Sequence, residues 1–213
     1  MAEYLDLKKQ LRHLYKPGPK APALVDVPTM RFLMLDGVDD VGGPAFTAGF
    51  AALFGLAHPV KFAAGKRLGL NYPVMPAEGL YWDADEGPLA PLADAEHVAW
   101  RLMIMLPDAV SREFVDEVRE KVAAKKDLAR LGDIRVQSFT EGACVQLLHI
   151  GPYAAETPTV ERMRAFADGK GLEFAGAHHE IYLGDPDRAA VEKLKTGLRY
   201  PVRPRKQSDP AGR

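Results

Sequence analysis

One cysteine in 213 residues excludes an internal disulfide and any cysteine cluster for a metal. That residue, Cys144, lies in the apolar run "ACVQLLHI", where a buried structural thiol is expected rather than a nucleophile. Charge of one sign is also missing. The formal net charge is −1, so no overall field draws the chain to nucleic acid. The basic stretch "RYPVRPRKQ" is short and proline-rich and reads as a loose tail. No uninterrupted apolar run reaches the roughly 18 residues of a membrane span. The opening "MAEYLDLKKQLRHLY" lacks the apolar region of a signal peptide, so the expectation is a cytoplasmic protein with no membrane partner. Nucleophilic-serine, phosphate-loop and dinucleotide glycine patterns are absent, and no cofactor is expected. No His-x-x-x-His or Glu-x-x-His spacing occurs, so no metal is expected either. Residues 1–28 are too short for a helix-turn-helix head.

What is present is an alternation of strands and helices. Residues 4–15 place Leu7, Leu11 and Leu14 at helical spacing, and a proline-rich linker follows to Pro28. "TMRFLMLDG" reads as a strand. Pro44 opens a long helix with Phe46, Phe50, Leu53 and Phe54 on its apolar stripe, and Pro59 should break or kink it. "VMPAEGLYWD" is a strand in which Pro76 and Gly79 suggest a bulge, and "HVAWRLMIMLP" is a plainer strand. A helix over 108–126 carries Val110, Phe114, Val118 and Val122 in register. "IRVQSFTEGACVQLLHIG" reads as a hairpin turning at Glu141-Gly142. Thr157 and Pro158 start another helix, "HHEIYLG" is a strand, and "DPDRAAVEKLKTGLR" repeats the helix start signal. This order suggests an α+β fold with two related halves, near 29–106 and 133–202, joined by the 108–126 helix, with a tail over 203–213.

The stretch "HHEIYLGDP" puts a carboxylate inside a strand. With a period of two, His178, Glu180 and Tyr182 share one face, and His179, Ile181 and Leu183 share the other. "PAEGLYW" likewise puts Glu78, Leu80 and Trp82 on one face and Tyr81 on the other. The plainest reading of Glu180 is a solvated strand residue, and of Glu78 a turn residue capping a backbone N–H.

The stretches "PAEGLYW", "WRLMIMLPDAV", "LLHIGPYAAETPTVERMRAF" and "HHEIYLGDPDRAAVEKLKTGLRYPV" resemble the GyrI-like small-molecule-binding proteins, over about residues 29–202. The resemblance is narrower to the free-standing branch that includes the cyclopropanoid cyclopropyl hydrolases. It implies a duplicated strand-helix-strand-strand module with an antiparallel sheet and a ligand groove between pseudo-symmetric halves. Where that branch often has a Trp-Trp pair, this chain has Tyr81-Trp82, which changes stacking area and polarity.

In such a groove, a carboxylate ringed by aromatics can hold a lipophilic cation or act as a general base on water. The resemblance implies Glu180 as the residue that meets the ligand, and Glu78 is the second carboxylate candidate. Tyr81, Trp82, Trp100, Tyr153 and Tyr182 are expected to wall a pocket for planar hydrophobic small molecules. Met103 would add an adaptable surface, and His178 would tune the proton affinity of Glu180. Core packing is the competing reading for each aromatic and for Met103. Two functions follow: a hydrolase that opens the strained ring of cytotoxic alkylators, or a non-catalytic module that sequesters drugs or binds a partner in the manner of a gyrase inhibitor. Either a monomer or a homodimer suits both.

Overall fold

The computed structural model describes residues 3–90, 92–184 and 188–205. In chain order the elements are β1 (Glu3–Tyr4), α1 (Leu7–Gln10), α2 (Arg12–Tyr15), β2 (Ala23–Val27), β3 (Met30–Val38), α3 (Pro44–Arg67), β4 (Leu70–Asn71), β5 (Ala77–Asp83), β6 (Val98–Leu106), α4 (Arg112–Ala123), β7 (Arg135–Phe139), β8 (Gly142–Ile150), α5 (Thr157–Asp168), β9 (Leu172–Phe174), β10 (His178–Tyr182) and β11 (Lys195–Pro204). The main sheet runs β2-β8-β11-β10-β5-β6-β3-β7, with each neighbouring pair antiparallel. A small parallel pair, β1 with β4, stands apart.

The order is symmetric about its centre. β3-α3-β5-β6 and β8-α5-β10-β11 are two copies of one module, and their third elements, β5 and β10, pair at the middle. α3 and α5 lie on the same side of the sheet. α3 packs on β3 and β6, and α5 packs on β8. The groove between the two helices has the β5–β10 pair as its floor.

The expected hairpin at Glu141-Gly142 does not form. β7 pairs with β3 and β8 pairs with β2, in one unbroken register: Val27 faces Gly142 and Met30 faces Phe139. Two long strands, 23–38 and 135–150, therefore run side by side and bend together, one at Pro28-Thr29 and the other at Thr140-Glu141. A proline in one strand and Gly142 at φ 72° after the bend in the other suit a corner, where strands pass from one sheet to the next. The Thr29 and Thr140 hydroxyls bond across it at 2.6 Å. The corner curls the sheet until its two edges join, which makes the side away from α3 and α5 concave.

Other expectations shift as well. The 4–15 helix is two short helices broken at Leu11, and β2 occupies part of the expected linker. Pro59 sits inside α3 without ending it. That helix contains a window of mean hydropathy 1.2, apolar enough to cross a bilayer although His58 and Lys61 interrupt it, and it packs Leu53, Leu56 and Val60 against the sheet. No bulge occurs in β5, whose pairing with β6 stays in register from Ala77 to Asp83. The last expected helix is instead a tight turn at Val191–Lys193 and then β11, while its first residues, 185–187, lie outside the described residues. β11 has partners on both sides, β8 and β10, and that pairing overrides the helical start signal. The Thr196, Leu198, Tyr200 alternation carried the strand pattern.

Candidate functional site

Strand parity divides the site residues between two faces. Register places His178 opposite Tyr81 and Glu180 opposite Gly79. These side chains, with Tyr182 and the neighbouring Tyr200, point to the helix side. Gly79 is required there. A Cβ on it would come within 2.7 Å of the Tyr81 hydroxyl and 2.8 Å of the Tyr182 hydroxyl. Only glycine lets these two phenols meet over the strand, and their hydroxyls hydrogen-bond to each other.

At the centre is His178. Its Nε2 lies 3.1 Å from Glu180 Oε1 and 3.4 Å from Glu156 Oε2, and its Nδ1 lies 2.7 Å from the Tyr200 hydroxyl. Burial opposes a charge on this ring, but the hydrogen bonds and charges of Glu156 and Glu180 outweigh it and raise its pKa to about 9. His178 is therefore an imidazolium at neutral pH, sharing its Nε2–H between two carboxylates. Burial, and then the Glu180 charge, hold the Glu156 carboxyl above its ordinary range against the pull of His178. Burial first and the Glu180 charge second also push Tyr81 and Tyr182 up, so both are neutral phenols and usable donors. The Glu180 side chain keeps 14% of its surface exposed, which leaves it reachable.

Aromatic rings continue from this centre. Phe46 and Phe50 of α3 lie 6.3 Å from Tyr81 and 5.5 Å from Tyr182, ring centre to ring centre. Tyr153, 40% exposed, stands edge-on to Tyr182 at 5.9 Å. An apolar cavity of about 800 Å³ opens beside Tyr182, lined by Phe46, Phe50, Phe54, Met75 and Pro76. A smaller one of about 120 Å³ lies at the other end, against His178, Tyr81, Trp82, Leu89 and Arg164.

Glu78 and Met103 lie on the other face, and Trp100 and Trp82 fit the expected pocket only in part. Glu78 is fully buried on the concave face, where it accepts from the Tyr15 hydroxyl at 2.5 Å and lies 2.9 Å from His179 Nε2. It cannot act in the groove. Met103, opposite Glu78, is buried on the same concave face. Trp100 is on the groove side but only 1% exposed, sealed by Phe46 and donating from Nε1 to the Asp39 carbonyl. Trp82 is on the concave side by parity and sits at the rim of the smaller groove cavity.

Glu156, Tyr200, Phe46 and Phe50 were not anticipated as site residues. Glu156 directly precedes α5 and drew no reading of its own beside the Thr157-Pro158 start signal, and Phe46 and Phe50 read as an apolar helix stripe. Glu156, His178 and Glu180 bring ligand-capable atoms within 4.8 Å of one another, a spacing that a local motif search cannot see because Glu156 comes from another element.

An antiparallel duplicated sheet with two helices flanking a carboxylate-and-aromatic groove defines a small-molecule-binding fold. The chain belongs to the GyrI-like small molecule binding domain family, whose model matches residues 20–203. It is similar to an uncharacterized conserved protein from Listeria innocua, at 34% identity and a TM-score of 0.84 over 93% of this chain and 100% of that one. It is also similar to a hydrolase from the same organism, at 33% identity and a TM-score of 0.81 with the same coverage. A second Listeria innocua hydrolase matches at 32% identity and a TM-score of 0.83, over 94% of this chain and 100% of that one. No curated protein matches the chain.

Proposed function

We propose that this protein hydrolyses planar, hydrophobic alkylators that carry a strained cyclopropane conjugated to a carbonyl. The observation that carries the reading is Glu180, a reachable carboxylate held by His178 beside two neutral phenols and a wall of aromatic rings. The similarity to two Listeria innocua hydrolases supports it. The apolar cavity beside Tyr182 would take the planar body of the substrate.

In the reaction, a water oxygen forms a bond to the strained ring CH₂. The ring C–C bond breaks, and its electron pair passes through the conjugated system to the carbonyl oxygen. Glu180 takes the water proton, and the Tyr81–Tyr182 pair donates to the oxygen that gains charge. Proton return from Glu180 through solvent resets the phenols. Water is the only co-reactant.

Stoichiometry provides the test. With a spiro-cyclopropyl dienone as probe, the protein should convert many equivalents to the ring-opened alcohol. Protection that stops at one equivalent, with the probe recovered intact, would leave a sequestering module instead. The 800 Å³ apolar cavity suits that second reading equally well.

A further inference from the structure

On the groove side, two carboxylates compete for one proton. Glu156 and Glu180 both contact Nε2 of His178, at 3.4 and 3.1 Å, and one N–H cannot point well at both. His178 is the cation that both carboxylates contact. Glu156 is 7% exposed, and its Oε1 has no hydrogen-bond partner. A buried carboxylate with one oxygen unmet is unusual in a finished structural network. Glu141 on the concave face shows the finished form. One of its oxygens receives both His179 Nδ1, at 3.0 Å, and Arg199 Nη1, at 3.1 Å, and the other lies 2.9 Å from His179.

We infer that Glu156 is a positioning residue for the Glu180 base: by holding part of the His178 Nε2–H, it keeps Glu180 from being tied up by the imidazolium and leaves it free to take a proton from water. The inference rests on the hydrolase reading and adds a residue to it. A carboxylate that is the sole partner of an imidazolium accepts a further proton poorly, because the charged form is the one the pair stabilises. Glu156 offsets that pull with a second negative charge. It does so from a distance, since its own oxygens are turned towards His178 and the interior. Tyr200, receiving Nδ1–H at 2.7 Å, fixes the ring so that Nε2 stays between the two acids. The other titratable or charged groups facing this set are Tyr81 on β5, Tyr182 on β10, Tyr153, His149 on β8 and Arg164 on α5. His149 is engaged with Thr159 and the Pro152 carbonyl, and Arg164 lies over the Phe174 ring.

The experiment pairs a pH–rate profile with an NMR titration of the His178 ring in Glu156→Gln. The acid limb of kcat/KM for the cyclopropyl dienone should move down by about one pH unit and the plateau should fall about tenfold. The His178 midpoint should fall from about 9 in the same variant. Glu156→Asp, which keeps the charge, should bring the limb back. A lower plateau with both the limb and the His178 midpoint unmoved would mean that Glu156 only shapes the fold, and the inference would be lost. If Glu156→Gln does not fold, Glu180→Gln decides: with Glu156 still holding the proton, the His178 midpoint must stay above its ordinary 6.5, and a fall to that value overturns the inference. A wild-type protein that turns over no probe strikes the hydrolase reading, whereas normal turnover with an unmoved midpoint strikes this one.

Discussion

Two adjacent histidines on β10 meet opposite surroundings. His179 faces the concave side, between Glu78 and Glu141, with Arg199 completing the set. His178 faces the groove, between Glu156 and Glu180, and meets the Tyr200 hydroxyl with its other ring nitrogen. The concave network is closed. Glu78 and Glu141 meet His179 and Arg199, and the four side chains are no more than 1% exposed. The N-terminal segment seals it, since Arg199 donates to the Leu14 carbonyl, Gln146 to the His13 carbonyl and Tyr15 to Glu78. The groove set shares one imidazole between two carboxyl groups and retains one unmet oxygen, Oε1 of Glu156. On the proposed reading the difference separates structure from function: one face engages its ionisable groups with one another, and the other leaves capacity for a ligand.

The largest effect should come from opening the closed face. Glu78→Gln leaves His179 and Arg199 with one carboxylate between them, in a site without solvent. Loss of one partner from a buried ion network costs about 3–5 kcal/mol. Denaturant unfolding should show that loss, while turnover per folded molecule stays at the wild-type level. A drop in turnover without a drop in stability would move Glu78 back to the chemistry.

Glu180→Gln is the mirror change. It keeps size, removes the charge and touches a side chain that still sees solvent. Turnover of the cyclopropyl dienone should fall at least ~100-fold, the lower end of a general-base contribution. The melting temperature should barely move. Wild-type turnover in this variant would end the case for Glu180 as base.

The next contrast concerns pH. His178 has a folded pKa of about 9, above its ordinary 6.5, so the stability it supplies is whole below pH 6.5 and is lost as pH rises through 9. Glu156, also raised, acts with the same sign, favouring the folded state while protonated. His179 is raised too, mainly by Glu141 against its own burial, and adds to the slope. Stability should therefore fall by about 3 kcal/mol between pH 6.5 and 9.5 on account of His178. His178→Asn should flatten that part of the curve and leave the contribution of His179. An unchanged slope would show that His178 is neutral in the folded protein.

The two faces differ in legibility as well. Period-two alternation in "HHEIY" correctly put Glu180 and Tyr182 with His178 and apart from His179, because strand geometry is local. The same parity already put Glu78 and Trp82 opposite Tyr81, yet all three were expected in one pocket. What parity could not show was which side the helices cover. That depends on the β5–β10 pairing, which joins residues about a hundred positions apart. Glu141, at the corner of the sheet, looked like a hairpin turn for the same reason: its partners, His179 and Arg199, lie on distant strands. β11 was hidden by an Asp-Pro start signal whose outcome was decided by two neighbouring strands. Glu156 was hidden by its place before a helix, where a carboxylate ordinarily serves the helix end.

Trp82 sits where the two faces meet, and its truncation should have the smallest effect. Its ring lines both the small groove cavity beside His178 and a cavity of about 350 Å³ on the concave side with Leu80, Arg101 and Glu141. The Arg101 guanidinium lies 5.8 Å from the ring centre and is itself held by Asp36 at 2.7 Å. A groove wall that stacks on a planar ligand would lose roughly 1–3 kcal/mol of affinity on truncation to alanine, or ~5- to 150-fold. Strand parity turns Trp82 away from Tyr182 and the large cavity, so the expected loss for Trp82→Ala falls below that range, under ~5-fold. The stability cost should be about 1–2 kcal/mol, from a half-buried ring and one cation–π contact. Arg101→Met gives the comparison: it removes the cation together with its Asp36 ion pair, keeps the apolar stem and leaves the Trp82 ring area in place. Melting temperature and ligand dissociation constant measured on both variants set Trp82 on one face or the other. Affinity weakened more than tenfold by Trp82→Ala but untouched by Arg101→Met would carry the ligand past Tyr81 into the small cavity, and the boundary between the working face and the structural face would run behind Trp82 rather than in front of it.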